Sequence, residues 1–216
     1  RHTRSLCDWS SDVCSSDLFF KQLFLAGKNA WVRTILLIAV VEGACVFGLL
    51  AITATHLHNK FGISLTIAGS TAALFGLGGM LYMATAKYTI RKFGETGLSW
   101  LGASGLSISF LIIAFTPWWP LALPACFGGG FGFAMFHNTM QANATQMVPT
   151  ARGTGVTLFA GFLFLGQSIG VLMLANLLNH FSSSLVIACA SFVAIGLGFF
   201  LAHAIEKHQA HRKQTR

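Results

Sequence analysis

Six apolar stretches, each long enough to cross a lipid bilayer, constrain this chain more than any other feature. A hydrocarbon core takes about 20 residues of helix, and the stretches run from about Thr34–Thr55, Ser64–Ala86, Leu98–Thr116, Leu121–Met140, Thr154–Leu178 and Ser184–Ile205. Only 9% of the 216 residues are charged, against about 25% in ordinary soluble domains. The net charge of +8 does not point to nucleic acid, because that requires a basic face on a soluble body. Here the basic residues fall in the gaps between apolar runs. The expected fold class is an all-α polytopic membrane protein with six transmembrane helices.

The gaps alternate in charge. Lys21, Lys28 and Arg33 precede the first stretch, Lys87, Arg91 and Lys92 follow the second, Arg152 follows the fourth, and Lys207, Arg212, Lys213 and Arg216 follow the sixth. These eleven basic residues share one side, and Lys60 alone occupies the other. By the positive-inside rule both ends face the cytoplasm, as in a multi-pass inner (plasma) membrane protein. Trp118 and Trp119, between Pro117 and Pro120, suit the headgroup layer on the opposite side.

Residues 1–18 differ from the rest. They are rich in Ser, Asp and Cys, contain Cys7 and Cys14, lack the apolar centre of a signal peptide, and read as a non-native, adapter-like segment. Residues 19–33 then form a cytoplasmic linker, 34–205 the six-helix bundle and 206–216 a basic cytoplasmic tail. No cysteine or histidine grouping has metal-site spacing, so neither a metal nor a cofactor is expected. Cys45, Cys126 and Cys189 lie singly in separate stretches and read as packing residues. The glycine pairs Gly128/Gly132 and Gly166/Gly170 have the small-xxx-small spacing that lets membrane helices approach closely.

Within the apolar stretches one acid stands alone. Glu42 is the ninth residue of the first, about 12–13 Å along the helix axis and so near the midplane. An ionised carboxylate there costs about 2.5–3.5 kcal/mol on insertion scales. Glu42 is therefore a candidate proton carrier or partner for a cationic substrate; the alternative is a neutral acid hydrogen-bonded to a neighbouring helix. The fourth stretch ends in a polar run from His137 to Gln146, where Asn138, Gln141 and Thr145 share a helical face that faces either an aqueous path or another helix. His137 titrates near neutrality in its unperturbed state and is a second proton candidate. Gln167 is the polar residue within the fifth stretch, suited to lining a cavity or bonding between helices. In the turn after the second stretch, Arg91 and Lys92 can bond the carbonyls that end the helix. Gly94 permits a sharp reversal, and Glu95 suits the start of the next helix.

Taken together, six spans, the turn Arg91-Lys92-Phe93-Gly94-Glu95, and the run Gln141–Thr154 leading to Phe164-Leu165-Gly166-Gln167-Ser168 resemble the major facilitator superfamily. The likeness covers about residues 19–216 and is closest to the C-terminal half of bacterial proton-coupled drug or sugar efflux permeases. The basic turn matches in degenerate form, without the acidic residue before the arginine. The resemblance implies a twelve-helix transporter of two six-helix halves, each an inverted repeat, with substrate between them near the midplane. It further implies that the N-terminal half, which should precede residue 19, is missing, so that the chain is expected to be a truncated C-terminal half with foreign sequence at the break. The implied partners are a small-molecule substrate, protons and the lipid bilayer; no nucleic acid and no enzymatic activity are implied. One enzymatic alternative is an intramembrane serine protease, since Gly102-Ala-Ser104-Gly105 has a nucleophile-like pattern and His203 lies at a comparable depth. A second alternative is a structural membrane subunit that does not transport.

Overall fold

The computed structural model describes residues 27–149 and 152–214. The adapter-like segment with Cys7 and Cys14, the first part of the linker with Lys21, and Arg216 lie outside the described residues. Every regular element among those described is helical. Helix α1 (Ala30–Glu42) passes through a π-helical turn (Gly43–Phe47) into α2 (Gly48–Phe61), together one apolar helix of 32 residues. Helix α3 covers Leu65–Phe115, a short 3-10 turn covers Trp119–Leu121, and α4 (Ala122–Gln146), α5 (Arg152–Leu177) and α6 (Ser183–Gln214) follow. Among the described residues five helices are thus long and apolar enough to cross a membrane.

The 51 residues of α3 are not straight. Gly94 adopts φ 65° and ψ 178°, a backbone that costs any residue with a Cβ. Phe75 and Phe110 would lie about 52 Å apart on one continuous helix, yet their ring centroids are 6.2 Å apart. The two arms therefore fold back on each other at Gly94. The reversal is narrower than the expected turn: Lys87–Phe93 continues the first arm as helix.

The helices also outrun their apolar stretches. Asn29, not the residue before Thr34, caps α1, its Oδ1 accepting from Trp31 N at 2.9 Å, so the last residues of the expected linker are helical. At the other end α6 continues to Gln214, through most of the expected tail. The extra turn of α2 has a role. The final carbonyls of a helix have no intrahelical donor, and those of α3 are met from α2 and α6. His56 Nε2 donates to Ile113 O at 3.1 Å, while Lys60 Nζ and Ser184 Oγ donate to Ala114 O at 2.7 and 2.8 Å. With its Nε2 so engaged, His56 Nδ1 accepts from Ser183 Oγ at 2.7 Å. A cation at a helix C-terminus is favoured by the dipole, which gives isolated Lys60 a structural reason.

Glycine sets the crossings. A Cβ on Gly43 would overlap the Leu163 carbonyl, and one on Gly166 or Gly170 would overlap the backbone of Val40 or Ala44. The first helix and α5 therefore meet backbone to backbone, as Gly166/Gly170 led one to expect. A similar crossing joins α4 to the first arm of α3, where Gly78 abuts Phe127 and Gly130 abuts Phe75. Here the expected pair divides differently: Gly132 packs on Gly102 and Leu106 of the second arm, while Gly128 meets only the Ser109 side chain. Two large clusters of buried side chains and one small one fill the described bundle. One large cluster runs from Val32 to Ala39 on α1 and includes Phe136 and Ile205; the other begins at Val46 and includes Phe110 and Ile187; Tyr82, Leu98 and Met135 form the small one.

Candidate functional site

Glu42 sits at the junction of the two large clusters, the last residue of α1 before the π-helical turn. π-Turns are rare and concentrate at functional positions. The close crossing at Gly43 holds this part of the helix against α5, and the Glu42 side chain is 0% exposed. Its Oε1 lies 2.9 Å from His137 Nδ1 on α4. Its Oε2 is fully covered and has no hydrogen-bond partner among the described residues. An unmatched buried oxygen costs about 1–3 kcal/mol, so its retention calls for an explanation beyond packing.

His137 stands between the carboxylate and the open face of the bundle, with its side chain 23% exposed. Phe133 and Phe159 flank its ring at centroid distances of 5.1 and 5.5 Å, and Phe47 packs edge-on against Phe133 at 5.9 Å. The imidazole is thus flanked by aromatic rings from its own helix and from α5, the first backed by Phe47 of the first helix, and it touches both a buried acid and the surface. Chemically, the pair can hold one proton in either of two places: as imidazolium–carboxylate or as neutral imidazole beside a carboxylic acid.

A second polar link lies nearby. Asn138 Nδ2 donates to the Tyr82 hydroxyl at 3.4 Å, joining α4 to the first arm of α3, and Tyr82 is 0% exposed. Gln141 is exposed and Gln167 half-buried; neither makes a hydrogen bond among the described residues. Thr145, the third member of the expected polar face, bonds its own helix at Ala142 O. Of the sequence-derived candidates the structure therefore pairs Glu42 with His137 directly, sets Asn138 next to His137 in sequence and brings the Gln167 backbone against Gly43 beside Glu42, while Gln141 joins none of these contacts. Tyr82 escaped the sequence reading, although a tyrosine within an apolar stretch is itself a signal, because a buried phenol normally needs a partner.

The basic turn behaves differently from expectation. Arg91 and Lys92 are exposed and bond no helix-ending carbonyl among the described residues; Lys92 instead lies over the Tyr88 and Phe93 rings at 5.8 and 5.3 Å. Arg152, the first residue of α5, lines a cavity of about 330 Å³ with Asn29, Gln146 and Pro149. The protease alternative finds no support. Helices α3 and α6 pack antiparallel, with Ser184 at Ala114, Gly198 at Ala103 and Gln209 at Glu95. That register sets His203 about 10 Å along the axis from Ser104, and no hydrogen bond joins them among the described residues.

A family model described as Major Facilitator Superfamily matches residues 10–171. The chain belongs to this superfamily. Its long apolar helices and its glycine-lined crossings are those of an integral membrane protein, and the superfamily's members are transporters rather than enzymes. The match opens at Ser10, within the segment the composition set apart, and covers the helices that carry Glu42, Tyr82, His137 and Gln167. No curated protein and no solved structure matches the chain.

Proposed function

We propose that this major facilitator chain serves in proton-coupled efflux of a small molecule, a drug or a sugar, with Glu42 and His137 sharing the coupling proton. The observation that carries this reading is the Glu42 carboxylate: wholly buried, bonded through Oε1 to a partly exposed imidazole and unmatched at Oε2. Ionisable groups held at membrane depth commonly belong to substrate or proton paths. A proton arriving at His137 from a hydrated cavity can pass to Glu42 without either group crossing lipid. Asn138, Gln141 and Gln167 are proposed to line the substrate side.

We further propose six membrane crossings, counting the two arms of α3 separately, with both ends cytoplasmic in the inner membrane. The eleven-to-one division of basic residues supports that orientation. Support for an inverted three-plus-three arrangement comes from the paired crossings, first helix on α5 and α4 on the first arm of α3, which exchange under such a two-fold. On this reading the chain is the C-terminal half of a twelve-helix transporter, and its partner is an N-terminal half.

The test is transport by the two-half transporter in proteoliposomes, screened against a panel of cationic drugs and sugars with an internal pH dye. Glu42→Gln keeps the shape of the side chain but holds no exchangeable acid proton. It is expected to abolish substrate-driven proton movement while substrate still binds. An active Glu42→Gln transporter with unchanged proton movement would overturn the assignment.

A further inference from the structure

Helix α1 and helix α6 run antiparallel along one edge of the bundle, and two cavities open along the seam between them. The first, of about 510 Å³, lies where α1 begins and α6 nears its end, lined by Trp31 and Thr34 on one side and Phe200, His203 and Lys207 on the other. His203, Lys207 and His211 stand at i, i+4 and i+8 and so project from one face of α6; all three line this cavity. Glu206, the acid on the same helix, does not. Trp31 stacks on His208 with centroids 4.2 Å apart and planes 5° from parallel, which ties the two helices together at this level.

The second cavity, of about 410 Å³, lies deeper, where α5 joins the seam: Val40 and Ala44 of the first helix and Leu185 and Val193 of α6 border it together with Met173 and Leu177 of α5. No charged side chain lines it. From Trp31 to Ala44 is about 20 Å along the axis, enough to cover the ~15 Å half-thickness of the hydrocarbon core. One seam thus offers a lysine, two imidazoles and an indole at its end and an apolar trough below them. That is the polarity profile of a phospholipid read from headgroup to tail. Basic pockets between transmembrane helices favour anionic head groups, and Trp favours the interfacial level.

We propose that the seam between α1 and α6 is a binding site for one anionic phospholipid, its phosphodiester on Lys207 and His203 and an acyl chain in the apolar trough bordered by Val193. Neither Glu42 nor His137 lines either cavity, and the proposal does not depend on the transport reading.

The full chain, purified in detergent, can be titrated with phosphatidylglycerol or phosphatidylcholine and the adducts counted by native mass spectrometry. Phosphatidylglycerol is expected to persist as a single adduct under activation that strips phosphatidylcholine. Lys207→Gln should weaken it about fivefold, His203→Gln should weaken it through the lost hydrogen bond, and Lys207→Arg should retain it. Val193→Trp, which fills the trough without touching charge, should weaken it as well. Lys92→Gln, at an exposed basic residue elsewhere, should leave it unchanged. Gel filtration confirms that each variant is folded. Equal retention of both lipids overturns the proposal, as does an effect of Lys92→Gln matching that of Lys207→Gln.

Discussion

His137 Nδ1 lies 2.9 Å from Glu42 Oε1, across 95 residues of sequence, and the imidazole is the only part of the pair that reaches the surface. Among the described residues His137 is the one hydrogen-bond partner of this buried carboxylate. Stability, and on the proposed reading proton coupling, should therefore depend on the contact rather than on either residue alone.

A double-mutant cycle measures that dependence. His137→Phe preserves the ring packing with Phe133 and Phe159 but leaves Glu42 without its one partner, and should cost about 1–3 kcal/mol. Glu42→Gln combined with His137→Phe should cost less than the separate losses added together. Thermal unfolding in detergent provides the values, and strict additivity would show that the contact contributes nothing.

The glycine crossings predict a contrast between two alanine substitutions. Gly43→Ala drives a methyl into the Leu163 carbonyl and should destabilise by about 1–3 kcal/mol, the usual cost of overpacking. Gly76→Ala meets no heavy atom within 4 Å and should instead stabilise by up to about 1 kcal/mol through helix propensity. Chemical unfolding of both variants in the same detergent decides; equal effects would contradict the backbone contact.

Orientation is open to labelling. In a chain cleared of its own cysteines, impermeant maleimide added outside intact cells should modify Asn59→Cys and Ser182→Cys. Both positions are exposed and lie at the end of the bundle where α2 stops and α6 starts. Lys92→Cys, near the reversal at Gly94, should react only after the membrane is opened. The reverse pattern would invert the proposed topology.

Much of this architecture was legible without coordinates. Crossing lipid is a property of local composition, so runs of about 20 apolar residues announce helices whatever they pack against. The reversal was legible at Gly94 because few residues tolerate its dihedrals. Glu42 stood out because an acid in an apolar run is costly, and Gly166/Gly170 because small residues four apart make a flat face. The tertiary structure decided what these residues meet. Glu42 faces His137 rather than Gln167, Asn138 finds Tyr82, and Gly130 rather than Gly128 makes the close contact on Phe75. Helix period and composition say which residues share a face, but the partner of that face depends on the rotation and crossing point of two helices. Those are set by the summed packing of both surfaces, so no single residue in either stretch encodes them.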